Sequence, residues 1–206
     1  SMPPKHTAIG ILSQAIVALE ANPLPADSSK SLMLFNKIAP YMAFDKRLIF
    51  ANTWLTRPLI EQQLGNNKLT NSLIRTTTAA TIINAGIKEN VLPVSATAII
   101  NFRLLPGDSI EATKQRVVAI INNPQIKVTE TRPGREASKV SNPEASSFKL
   151  LTKTIHQANG SGKALVVAPY LVMAGTDSRK FEDLTENIYR FLFNYAGPDD
   201  IKRIHS

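Results

Sequence analysis

Apolar residues Ile11, Leu12, Ala15, Ile16 and Leu19 fall at helical spacing along one face, after Pro3 and Pro4 and a capping Thr7, and before Asn22-Pro23. Two prolines remove donors ahead of the stretch and a hydroxyl satisfies its first N–H groups, so the pattern predicts a helix. Residues 28–65 read as further short helices broken by Pro40 and Pro58, with Gly65-Asn66-Asn67 as the exit turn. The period then changes to two. Residues 72–83 are rich in β-branched side chains, and in residues 94–105 Ala96, Ala98, Ile100, Phe102 and Leu104 alternate with more polar neighbours, so two strands are expected. Pro106-Gly107 ends the second. Asp108 and Glu111 fit a capping box opening a helix with Ile110, Val117, Val118 and Ile121 inward, and Asn122-Asn123-Pro124 closes it. Residues 125–131 read as another strand, with Ile126 and Val128 on one face.

The order helix, strand, strand, helix, strand, completed by a strand just before residue 1, predicts a ferredoxin-like α/β sandwich with a helical insertion at about 28–65. The polar, Pro- and Gly-containing residues 132–141 mark a domain boundary. Beyond it, Asn142 reads as a cap with Pro143 at the first helical position, and Phe148, Leu151 and Ile155 form a stripe ending at Asn159-Gly160. A buried strand over 164–173 follows, then a turn over 175–179, then a strand over 187–193. These residues are too few for an independent core and read as the closing part of a larger α/β sheet.

Composition narrows the chemistry. With 43% apolar residues in 206, the chain is rich enough to bury a core, and without cysteine it has neither disulfides nor thiolate metal ligands. No window of about 18 apolar residues spans a membrane. The formal charge of +8 comes from scattered side chains such as Lys37, Lys46, Arg47, Arg75, Lys114 and Arg116, without the dense basic run or the aromatic signature of a nucleic-acid site, so no nucleic-acid partner is expected.

The apolar run 164–173 leads into Gly175-Thr176-Asp177-Ser178-Arg179, a turn that carries a guanidinium and so suits an anion. Arg203-Ile204-His205 lies just before the last residue, Ser206. Four stretches taken together resemble the zinc-dependent aminoacylase and carboxypeptidase superfamily, which includes acetylornithine deacetylase and succinyl-diaminopimelate desuccinylase, and most of all its carboxypeptidase S-like branch. They are residues 1–10, residues 84–93 with Asn101-Phe102-Arg103-Leu104-Leu105-Pro106-Gly107, the 175–179 turn, and Arg203-Ile204-His205. The resemblance implies a two-zinc catalytic domain interrupted by a ferredoxin-like lid that also forms a homodimer, with residues 1–140 as the lid and 141–206 as the return into the catalytic domain. It implies His205 as the last zinc ligand and Gly175, Thr176 and Arg179 as the substrate-carboxylate clamp. It further implies Asn90 as a contact reaching the partner's active site and Arg103 as a further substrate contact, for a small acylated amino acid or peptide whose amide bond is hydrolysed.

The departures shape the expectation as much. No histidine is followed two residues later by aspartate, and no Glu-Glu pair occurs, so most ligands of the two zinc ions and the general base are missing. The family's oxyanion-stabilising histidine would fall just before residue 1. The chain is therefore expected to be a fragment, inactive alone and serving in dimerisation, with no catalytic residue of its own. His6 and His156 read as structural or surface residues. The alternative is a stand-alone ferredoxin-like module that binds an acidic ligand; it accounts for the charge and leaves the 175–179 turn without a role.

Overall fold

The computed structural model describes residues 3–160, 164–172 and 175–192. Helix α1, Ala8–Ala21, starts where Thr7, in extended backbone, accepts a hydrogen bond from the Gly10 amide through Oγ1 at 3.1 Å, and it buries Ala15 and Leu19. The insertion folds as α2 (Leu32–Ile38), a 3-10 turn at Ala39–Tyr41, α3 (Phe44–Ala51), α4 (Thr53–Gly65) and the short α5 (Lys68–Asn71). Pro40 breaks it as expected. Pro58 does not; it lies inside α4, on an exposed part of that helix. The exit turn holds more than a turn: the Asn67 side chain accepts from the amides of Leu69 and Thr70 and opens α5.

Strands β1 (Thr77–Ala85) and β2 (Ala96–Arg103) form an antiparallel hairpin running from Thr77 opposite Arg103 to Ala85 opposite Ala96, with a bulge between Ala80 and Ile82. Ala96, Ala98, Ile100 and Phe102 are half-buried and their neighbours exposed, as the alternation predicted. Helix α1 packs on both strands and on α6 (Ile110–Ile121), giving the helix-on-hairpin layers of an α/β domain. The first strand begins later than the sequence suggested. Residues 73–76 are held by tertiary bonds instead: the Ile74 carbonyl accepts from Asp27 N at 2.6 Å, and the Leu73 carbonyl from Ser31 Oγ. Thr76 Oγ1 accepts from Leu105 N at 2.8 Å and donates to Asp108.

That last bond explains a second correction. With its carboxylate engaged by Thr76, Asp108 does not cap α6; Ser109 does, accepting from Ala112 N at 3.1 Å. Val117 is buried as expected, but Val118 is 51% exposed, and Thr113 takes the inner place one turn before Val117. Residues 125–131 keep the expected alternation, Ile126 and Val128 half-buried, yet form no ladder, since the described residues contain no neighbouring strand for them.

Helix α7, Ser146–Ala158, starts after Ala145 rather than at Pro143, because Asn142 folds a turn of its own, its side chain accepting from Glu144 N at 2.8 Å. Ile155 is buried, and Phe148 meets Tyr189 with ring centroids 5.2 Å apart. The runs expected to be strands, at 164–173 and 187–193, take no regular secondary structure and pair in no sheet among the described residues, and the first is half-buried to exposed rather than buried; Met173 and Phe193 lie outside the described residues. Residues 187–189 are instead pinned to 141–142: Ile188 N donates to Ser141 Oγ, Ser141 Oγ donates to Ile188 O, and Tyr189 Oη donates to Asn142 O at 2.6 Å.

An ion-pair network fixes the insertion to the segment after α1. Arg57 donates to Asp27 at 2.7 Å and to Glu61 at 2.9 Å, Lys30 pairs with Asp27, and Glu61 accepts from both the amide and the hydroxyl of Ser28. Burial pushes both carboxyls up, but for Asp27 the bonds from Lys30 and Ser29, and for Glu61 those from Arg57 and Ser28, outweigh it and hold each below its ordinary value of 3.8 or 4.5. Carboxyls depressed in the folded state stabilise it fully above their unfolded values and lose that contribution as the pH falls towards the folded ones. The thermal midpoint should therefore drop between about pH 5 and about pH 2, and the Asp27→Asn/Glu61→Gln double variant should show a flatter profile over that window.

Candidate functional site

The Gly-Thr-Asp-Ser-Arg turn is built locally. Thr176 is extended and precedes a 3-10 turn, Asp177–Phe181, in which Arg179 N donates to Thr176 O at 3.2 Å. Thr176 Oγ1 and Ser178 Oγ are 2.5 Å apart, and Arg190 Nε donates to both, at 3.0 and 2.7 Å. The Arg190 guanidinium thus ties together two hydroxyls of the turn. Gly175 has open space where a side chain would project, so no close approach demands glycine there.

Arg179 leaves the turn towards residues 132–141. Its Nη2 donates to the Glu136 carbonyl at 2.5 Å, and its Nε lies 3.8 Å from Glu182 Oε1. The Glu136 carboxylate meanwhile accepts from Ile110 N at 3.1 and 3.2 Å, at the start of α6. One linker residue therefore touches both the first helical amide beyond β2 and the arginine of the turn. That path joins the two halves of the chain.

Between them lies a cleft of about 790 Å³. Phe102, Leu104, Phe148, Leu151, Val167 and Leu171 give it apolar walls, while Arg103, Arg135, Lys139, Arg179 and Arg190, with Lys30, supply cationic groups against one acid, Glu136. An apolar trough with guanidinium groups suits an amphipathic anion, its apolar part on the walls and its carboxylate on an arginine fork.

Of the residues singled out in the sequence, Arg179, Gly175 and Arg103 line this cleft. Arg103, at the end of β2, is exposed and makes no ion pair among the described residues. Thr176 is not a lining residue and connects to the cleft through Arg190. Asn90 sits exposed in the β1–β2 connection and is not among the lining residues. His205 lies outside the described residues. Sequence reasoning passed over Arg190 and Glu136. The first carried a signal, a lone charge within the apolar run 188–193; the second sat in a polar linker and carried none.

Among the described residues, no group of three or more His, Cys, Asp or Glu side chains is placed to hold a metal ion, and His6 and His156 are both exposed. These residues do not fit a two-zinc centre. No described helix is long and apolar enough to cross a membrane.

Residues 1–129 match the family described as peptidase dimerisation domain. Over its whole length the chain is 39% identical to the probable carboxypeptidase S-like 2 of Dictyostelium discoideum, covering 39% of that protein. It is 38% identical to the N-fatty-acyl-amino acid synthase/hydrolase PM20D1 of Homo sapiens, covering 41%, and 26% identical to carboxypeptidase S of Saccharomyces cerevisiae, covering 42%. The chain thus spans about two fifths of the length of these relatives. No solved structure matches.

Proposed function

The chain belongs to the peptidase dimerisation domain family, within the aminoacylase and carboxypeptidase superfamily, and from that premise we propose that it is the dimerising lid and substrate-clamp portion of a zinc-dependent hydrolase. The reaction is cleavage of an amide or peptide bond next to an amino acid carboxylate. Residues 1–140 form the lid in this reading, and 141–206 return into the catalytic domain. The observation that carries it is Arg179: it projects from a turn braced by Arg190 into a cleft with apolar walls. Arg179 receives the substrate carboxylate, Arg103 stands as a weaker further contact, the apolar walls take the acyl or side-chain part, and Thr176 braces the turn beside Gly175. Asn90, exposed on the hairpin connection, reaches the partner subunit's site. Relatives named as carboxypeptidases and as an N-fatty-acyl-amino acid hydrolase support a substrate of this class, a small acylated amino acid or peptide.

The described residues do not fit the zinc pair, so its ligands, apart from His205, and the general base are assigned to parts of the protein beyond these 206 residues. Two measurements test this division of labour. The chain alone should hydrolyse neither N-acyl amino acids nor dipeptides and should take up zinc weakly; tight stoichiometric uptake abolished by His205→Ala would contradict the assignment. It should also run as a homodimer in light scattering, because the exposed edges of a hairpin pair readily with a second copy through a twofold axis. A monomer at high concentration would overturn the dimerisation role.

A further inference from the structure

The arginine of the 175–179 turn does not bring an unopposed charge to the cleft. Arg179 Nε lies 3.8 Å from Glu182 Oε1, three residues on, and both side chains are half-buried. That carboxylate oxygen is buried and accepts no hydrogen bond among the described residues, so its negative charge acts chiefly on the guanidinium beside it. A carboxylate so placed offsets part of the attraction that Arg179 exerts on an anion. Arg179 offers a planar donor more than a net charge.

Arg190 is the reverse case. Its Nε donates to two uncharged groups, Thr176 Oγ1 at 3.0 Å and Ser178 Oγ at 2.7 Å, and it makes no ion pair among the described residues. It is half-buried and lines the cleft with Arg179. The cleft's other cations differ from it: Lys30 is paired with Asp27, and Arg103, Arg135 and Lys139 are exposed, where water and salt screen them. Nor do nearby acids cancel it. Asp177 pairs with Lys180, the Glu136 carboxylate is held at Ile110 N, and Glu186, which shares a small recess with Arg190, is exposed and faces Lys139 there as well. Two guanidinium groups against Glu182 leave one positive charge, and the unpaired cation is Arg190.

Its anchoring also fixes where that charge stands. Thr176 and Ser178 flank Asp177 in the turn that carries Arg179, so the bonds that hold Arg190 tie its charge to the same piece of backbone as the fork. A half-buried charge beside apolar walls acts on a ligand with less screening than one in open solvent.

We propose that Arg190 is a specificity-determining residue of this site: Arg179 supplies the planar fork for a carboxylate, and Arg190 supplies the unopposed charge by which the cleft prefers a free acid to a neutral ligand of the same shape. The proposal rests on the carboxylate-clamp reading and adds to it a residue and a charge balance. Glu182 becomes the opponent of Arg190. Removing its charge should strengthen the preference that removing Arg190 weakens.

The test uses the full-length protein, a free-acid N-acyl amino acid and its amide-capped counterpart. Its readout is the ratio of the two kcat/KM values, which a general loss of active protein leaves unchanged. Arg190→Met should lower the ratio about tenfold, and Arg190→Lys, which keeps the charge, about threefold or less. Glu182→Gln alone should raise it about threefold. In the Arg190→Met/Glu182→Gln double variant the ratio should recover about threefold or more over Arg190→Met, because the charge of Arg179 is no longer offset. A residue that merely held the turn in place would give no such recovery. Equal losses on both substrates in Arg190→Met, or no rise from Glu182→Gln in either background, overturns the proposal. Arg179→Lys in the same assay separates the two claims. A ratio that survives it overturns the clamp reading, whereas a ratio that collapses with Arg179→Lys and ignores Arg190→Met and Glu182→Gln overturns the charge assignment alone.

Discussion

From the proposed carboxylate clamp, Arg179→Lys in the full-length protein is expected to lower kcat/KM for a free-acid substrate by about 10- to 150-fold, equivalent to roughly 1.5–3 kcal/mol of a charge-assisted contact formed in the transition state. The magnitude follows from how the side chain is held. The Glu136 carbonyl and Glu182 constrain one edge of the guanidinium, and Arg190 braces the turn beneath it, leaving a planar fork fixed at the cleft. Lysine keeps the charge but offers a point donor on a flexible stem, losing both the fork and the bond to Glu136. Arg103 is exposed at the end of β2 without such bracing, so Arg103→Lys should cost only about 0–1 kcal/mol. Steady-state kinetics of the two variants side by side check the contrast; comparable losses would show that neither arginine is special.

Ile74→Ala should destabilise the chain by about 2–5 kcal/mol, read from urea or thermal unfolding. Ile74 is fully buried beside Leu73 at the joint where the insertion returns to the hairpin, and its own carbonyl holds Asp27. Removing three carbons there leaves a cavity between elements already tied by Ser31 and Thr76, which limits how far they can close in. Val118→Ala is the matched control: an apolar residue on α6 that the helical pattern placed inward and the structure leaves largely exposed, where truncation should cost well under about 1 kcal/mol.

The sequence made local signals plain and hid those that depend on distant partners. Thr7 and the Ala15–Leu19 stripe announced α1, and alternation from Ala96 to Phe102 announced β2, because capping and one-sided burial act over a few residues. Residues 72–76 looked like strand by their side chains. They are not, because Asp27, Ser31 and Asp108, all remote in sequence, claim their hydrogen-bonding groups. Asp108 satisfied the capping box by its residue type and spacing, and it failed in the fold because its carboxylate has a better partner in Thr76. Strands expected at 125–131, 164–173 and 187–193 needed neighbours that the described residues do not provide. At the site, Arg179 stood out through its motif, whereas Arg190 and Glu136 act only through the tertiary contacts that bring them to the turn.

The most direct test of the proposed carboxylate clamp compares, in the full-length protein, a free-acid N-acyl amino acid with its amide-capped counterpart. The account predicts that Arg179→Lys lowers kcat/KM for the free acid by the margin given above while changing the capped substrate little, so that the preference for a carboxylate collapses. Equal loss on both substrates, or no loss on either, would contradict it.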